Sequence, residues 1–240
     1  MNARTAPPVS RRNRPAKAPL SREAIVRAAV DLVHTEGLER LTMRRLAASL
    51  DTGAGSLYVY FRNVEHLYAA LLDELLGEVD LSPGDRAEPW DDRLAGVLWS
   101  YAGVLFDNPS IARMSIFTRP NGPNYLRLIE TLLALLDEGG VPTGAASWGI
   151  DLLLQYATAS AAEHGTRDQE LDTVDADSDL ARAIEEVSAE AYPNLFALRE
   201  VIVAGEGAER FRWAVDVLLA GMRDAGNAAV PRAYEANGPA

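Results

Sequence analysis

A chain of 240 residues with 48% hydrophobic and 24% charged side chains lies in the globular range, which excludes disorder throughout and leaves room for one large or two modest domains. The absence of cysteine removes disulfides, thiolate metal sites and thiol nucleophiles, and suits a reducing compartment. The net charge of -12 divides unevenly: residues 1–62 hold 11 Lys+Arg against 5 Asp+Glu, or +6, which leaves -18 on residues 63–240 and suggests polyanion contact at the N-terminal end alone.

Residues 1–20 carry Arg4, Arg11, Arg12, Arg14 and Lys17, four prolines and no acid, and are expected to form a disordered basic arm. Such an arm is either an inert tail or a source of phosphate or minor-groove contacts. No stretch reaches the roughly 18 apolar residues of a membrane span, and no apolar export core follows Arg11 and Arg12, so a cytoplasmic protein with no membrane partner is expected.

From Ser21, a candidate N-cap, Ile25, Ala28, Ala29, Leu32 and Val33 repeat at helix spacing until Gly37. Thr42 can cap a second, short helix with Met43, Leu46, Ala47 and Leu50 inward. The turn formers of 51–55 lead into Ser56-Leu57-Tyr58-Val59-Tyr60-Phe61, barely two turns of compact structure with Leu57 and Phe61 facing inward. After the cap Asn63, the residues Tyr68, Leu71, Leu72, Leu75, Leu76 and Val79 predict a linking helix that continues to about 80. Further helices are predicted at 90–107, 110–117, 123–138, 143–165, 178–191, 194–204 and 206–225, and no segment reads as a strand. The expected fold is all-α: a three-helix helix-turn-helix unit at 21–67, an antiparallel helical bundle at 85–225 and a flexible tail at 226–240.

Two short helices across a tight turn, preceded by a third, make a helix-turn-helix arrangement. Small residues at Gly53, Ala54, Gly55 and Ser56 would let the backbone approach a major groove. Ser56, Tyr58, Tyr60, Arg44, Arg45 and Arg62 offer groups for phosphates and base edges. The runs 41–47 and 56–63 resemble the DNA-binding domain of the tetracycline-repressor (TetR) family. The resemblance implies DNA contacts from Thr42, Arg44, Ser56, Tyr58 and Tyr60, beside which Arg45, Gly55 and Arg62 are candidates from their chemistry, with double-stranded operator DNA as partner. Four positions depart from the family pattern. Asp51 stands where glycine is common in the turn, so it must accept a left-handed conformation or the turn is rearranged. Val64 replaces a customary lysine. Ala54 and Val59 replace base-reading residues, so no operator sequence carries over.

Trp90, the run 118–120 with Tyr125, and 193–195 leading into 211–222 resemble the family's ligand-binding and dimerisation domain. A metal-ligating histidine of that group is Ser115 here and a pocket asparagine is Val97, which implies neither a magnesium–drug site nor any cofactor. Tyr101 and Thr118 take pocket positions, and Trp99, Phe106, Phe117, Tyr125, Trp148 and Tyr156 lie nearby in helical sequence. An apolar or aromatic small-molecule effector is expected. Small residues across 143–165 and the stripe Phe211, Val215, Leu218 and Met222 imply a homodimer closed by a four-helix interface. Two recognition helices about 34 Å apart would then read a palindrome.

Other chemistry finds little support. Asp175, Asp177, Asp179 and Glu186 mimic a calcium loop, but Leu180 stands where glycine is needed, and a solvated acidic loop is expected. His34, His66 and His164 lack metal-binding partners at i+3 or i+4, and no catalytic constellation stands out. The reading is a dimeric, ligand-responsive transcriptional regulator, probable repressor and not an enzyme, whose linking helix swings on effector binding. Its rivals are a helical interaction protein without operator recognition and an enzyme built on a bundle.

Overall fold

The computed structural model describes residues 19–82, 87–169 and 174–225, with side chains described except at 164–169, 174–178 and 225. Most of the basic arm, the 226–240 tail and the side chains of His164, Asp175 and Asp177 therefore lie outside the described residues. All regular structure among the described residues is helical.

Helix α1 (Arg22–Glu36) starts where Ser21 Oγ accepts the Ala24 N–H at 3.1 Å, and it buries Ile25, Val26, Ala29 and Leu32. It stops at Gly37, whose φ of 89° is open to glycine and strained for other residues. A 3-10 turn at Leu38–Arg40 leads to α2 (Met43–Ser49), capped by Thr42 Oγ1 on the Arg45 N–H. Asp51 does take the left-handed conformation, with φ of 49°, and the Thr52 N–H closes the turn on the Ala47 carbonyl at 2.9 Å. The following α3 (Ala54–Leu57) is a single helical turn, two residues earlier than the sequence pattern placed it; Gly53, in extended conformation, is its N-cap. Leu57 and Phe61 are fully buried and pin this turn to the core.

Asn63 Oδ1 accepts the His66 N–H at 3.0 Å and begins α4 (Val64–Leu75). The linking helix does not run unbroken to 80: it tightens at Leu76–Glu78 into a 3-10 turn, which keeps Leu76 and Val79 buried while redirecting the chain.

In the body, α8 (Thr143–Gln169) is the central element, packed by α5 (Trp90–Phe106), α6 (Pro109–Ser115), α7 (Pro123–Glu138) and α11 (Gly207–Ala225). The small residues Ala145, Ala146, Gly149, Ala157, Ala161 and Ala162 are buried along it, and a β-carbon on Gly149 would collide with the Met222 side chain of α11. Of the stripe Phe211, Val215, Leu218 and Met222 expected at a dimer interface, Phe211, Val215 and Met222 are buried within their own chain on the side packed against α8, and Leu218 is half-buried. The opposite flank of α11 exposes Trp213 and Val217.

Two boundaries also differ from the sequence expectation. Helix α9 (Val174–Glu185) begins earlier than 178, so the acidic stretch is helical; α9 ends six residues before 191. Ser188 stops it by making a local turn, with its carbonyl accepting the Tyr192 N–H at 2.9 Å, before Pro193 opens α10 (Pro193–Val203). Helix α10 buries no residue and contacts α9.

Candidate nucleic-acid interface and effector region

The segment 42–62 divides cleanly into an inner and an outer side. Inside are Met43, Leu46, Ala47, Leu57 and Phe61; outside are Thr42, Arg44, Arg45, Gly55, Ser56, Tyr58, Val59 and Arg62. Tyr58 is 53% exposed and Val59 81% exposed. A β-carbon at Gly53 or Gly55 would meet open space, so no side chain of the described residues covers the backbone of α3 there. Thr52 Oγ1 donates to Ser56 Oγ at 3.2 Å, which orients one of the exposed hydroxyls.

Beyond the capping Thr42 and the hydrogen-bonded Ser56, two more of the sequence candidates are already engaged. The Arg45 guanidinium grips the carboxylate of Glu36 through two nitrogens, with the Nε–Oε2 distance at 2.9 Å. The hydrogen bond from Arg45 holds the Glu36 carboxyl below its usual range and raises the guanidinium above its own. Tyr60 is half-buried, and its hydroxyl donates to the Leu20 carbonyl at 2.5 Å. Arg22 donates to the Tyr60 carbonyl at 3.3 Å and lies over the Phe61 ring at 4.6 Å. Residues 20–22, where the basic arm joins the fold, are thus fastened beside the recognition turn. No local sequence signal reports these contacts, because the partners lie 9 and about 40 residues apart.

The ten effector candidates do not converge on one chamber. Val97 and Tyr101, four residues apart, share the buried face of α5; Trp99, two residues from each, is turned by about 200° to the outside. Tyr101 Oη shares a 2.7 Å hydrogen bond with Thr158 Oγ1 of α8, a partner 57 residues away that no local pattern singles out. Burial pushes the Tyr101 phenol up to about 12, against the lowering effect of that bond, so the group stays neutral at ordinary pH. Thr118 and Tyr125 are half-buried near the α6–α7 connection, and burial raises the Tyr125 phenol. Ser115 spends its hydroxyl on the Ala112 carbonyl at 2.7 Å.

Of the remaining candidates, Tyr156 is half-buried against the core and the others face outward. Phe117 is 90% exposed, and Phe106 and Trp148 are also exposed. Trp99 meets Phe211 edge-on at 5.1 Å, and Tyr156 tilts against the same ring at 5.4 Å, forming an aromatic trio on the α5–α8–α11 flank. A hollow of about 440 Å³ lies elsewhere, at the junction of α1, α4 and α7, between Arg27, Asp31, Glu74, Glu78 and Asn124. None of the ten candidates lines it. The described residues hold no group of three or more His, Asp or Glu side chains placed to bind a metal, and no helix among them is long and apolar enough to cross a membrane.

Comparison with known proteins identifies the family. The pattern of the bacterial regulatory proteins, tetR family, matches residues 25–71, and that of the tetracyclin repressor-like C-terminal domain matches residues 82–225. An HTH-type transcriptional regulator of Saccharopolyspora erythraea is 35% identical over 122 residues, which span 50% of this chain and 51% of that protein. The chain therefore matches about half the length of that relative. Among solved structures, SCO7704 from Streptomyces coelicor is 45% identical with a TM-score of 0.74, covering 93% of this chain and 100% of that one. ActR of Streptomyces coelicolor, in complex with actinorhodin, is 30% identical with a TM-score of 0.77, covering 89% and 100% respectively.

Proposed function

Because the chain belongs to the tetR family of bacterial regulatory proteins, we propose that it is a dimeric, ligand-responsive transcriptional repressor, released from a palindromic operator by a small-molecule effector. The observation that carries this reading is the two-sided segment 42–62: buried Leu57 and Phe61 hold a one-turn helix whose outer surface is small, polar and basic. Thr42, Arg44, Gly55, Ser56, Tyr58 and Arg62 form its contact set for operator DNA. Arg45 reaches a phosphate only by releasing Glu36. The Tyr60 hydroxyl serves the fold, with its ring at the edge of the contact. The protein acts in the cytoplasm, where its DNA partner lies.

A single short recognition turn reads few base pairs, so two copies are needed. Exposed Trp148 and Leu152 on α8, Trp213 and Val217 on α11, and Leu198, Val201 and Ile202 on α10 supply the apolar surface for a second copy.

The effector is an apolar or aromatic small molecule that enters between α5, α6, α7 and α8, with Val97 and Tyr101 beneath it and Thr118 and Tyr125 at the rim. The capture of actinorhodin by ActR supports a small-molecule site in this architecture. Effector binding there would redirect α4 and change the spacing of the recognition turns; such couplings are typically about 1 to 3 kcal/mol. Selection of bound fragments from a random DNA pool tests the reading: a palindrome is expected, and failure to enrich any duplex overturns it.

A further inference from the structure

The start of α7 lacks a cap of its own. Its N-cap is Gly122, which has no side chain, and Pro123 has no N–H, so the N–H groups of Asn124 and Tyr125 are the first that need acceptors. Both face Asp73 of α4, a carboxylate only 7% exposed. Its Oδ1 accepts the Tyr125 N–H at 2.9 Å, and its Oδ2 lies 3.5 Å from the Asn124 nitrogen. Asn124 returns the contact, its Nδ2 donating to the Asp73 carbonyl at 2.8 Å. A β-carbon on Gly122 would collide with the carboxylate, so glycine there is what lets the two helices interlock.

This latch sits where α4 passes from the DNA-binding unit into the body. Upstream, Leu67, Leu71 and Leu72 are buried in the common core; downstream the chain turns at Leu76–Glu78. A second side-chain hydrogen bond between the unit and the body, from His34 Nε2 of α1 to Asn108 Oδ1 at 3.2 Å, is exposed. A negative group at a helix N-terminus is favoured by the peptide dipoles as well as by the hydrogen bonds, and burial strengthens both.

We propose that Asp73 is a positioning residue: by capping α7 from α4, it fixes the direction in which the DNA-binding unit leaves the body. The consequence for operator affinity rests on the regulator reading above; the geometric claim does not. The chain has no cysteine, so spin labels at Arg40→Cys and Ala134→Cys, both exposed positions, report the angle between unit and body. Labelled chain diluted into unlabelled chain gives the intrachain distance alone.

Asp73→Ala and Gly122→Ala attack the latch from its two sides. Both are expected to broaden or shift the Arg40–Ala134 distance distribution relative to the parent, with helix content unchanged, and to weaken binding to the selected operator by about 5- to 150-fold. Asp73→Asn keeps one acceptor for Tyr125 and is expected to fall between. If Asp73→Ala does not fold, Gly122→Ala and Asp73→Asn carry the same two readouts. Variants that lose thermal stability yet keep the parental distance distribution would show that Asp73 merely caps a helix, which overturns the proposal. A broadened distribution in a protein that binds no DNA sustains the positioning role and removes the regulator reading instead.

Discussion

Glu36, the last residue of α1, and Arg45, in the first turn of α2, hold each other across the face that carries the proposed DNA-contact residues. A cation so held contributes less to phosphate binding than its charge suggests. Glu36→Gln is expected to free Arg45, tighten DNA binding and steepen its salt dependence by about 0.9 in log K per log salt for each new phosphate contact. The pH effect has a definite sign. Because Arg45 holds the Glu36 carboxyl below its usual range, the pair persists above that lowered value and is lost as pH falls through it. Salt titrations of the parent and Glu36→Gln across that range check this; equal slopes for the two at neutral pH would exclude competition between Glu36 and DNA.

Arg44 stands beside this pair, exposed on α2. Arg44→Ala is expected to weaken binding to all duplexes by a similar factor and to reduce the salt slope by about 0.9 per protomer, as loss of a phosphate contact does. A change in the preferred sequence with no change in slope would instead make Arg44 a base reader.

The basic arm should act at the same place. Residues 20–22 are fastened next to Tyr60 and Phe61, so the cations upstream join the fold beside the recognition turn. Removal of residues 2–17 takes away five positive charges and is expected to flatten the salt slope by more than Arg44→Ala does. An unchanged slope and affinity would make the arm inert.

Tyr101 and Thr158 tie α5 to α8 inside the body. The phenol stands near 10.0 in an ordinary setting and about 12 here, so the folded state favours its neutral form. The resulting stability is complete below pH 10 and is lost as pH rises toward 12. Tyr101→Phe is expected to cost about 1 to 2 kcal/mol at neutral pH, from the unpaired Thr158 hydroxyl, and to remove part of the alkaline loss of stability. Thermal unfolding at pH 8 and pH 11 separates the two effects.

The exposed flank of α11 sets the oligomeric state in our reading. Trp213→Asp with Val217→Asp should give a folded monomer by sedimentation and abolish operator binding at concentrations where the parent binds fully. A double variant that remains dimeric would move the interface elsewhere.

The helices were legible because their capping and periodicity are local: Ser21, Thr42 and Asn63 all cap as their positions suggest, and Asp51 takes the left-handed turn. What the sequence concealed depends on direction and distance. Periodicity identified the stripe Phe211, Val215 and Met222 but could not say that it faces α8 of its own chain. Proximity along the chain grouped Val97 with Trp99, although helix geometry sends them to opposite sides. The Asp73 latch was invisible for a related reason. An aspartate within an apolar helix has no local signature, and its partners begin 51 residues later.

The one-turn α3 has a last implication for how such a protein diversifies. Leu57 and Phe61 anchor it, with Ala54 partly packed and Tyr60 tied to Leu20, while Gly55, Tyr58 and Val59 add little or nothing to the interior. Substitutions at these outward positions leave the scaffold nearly untouched, so sequence preference on DNA can drift through many intermediates without passing through an unstable protein.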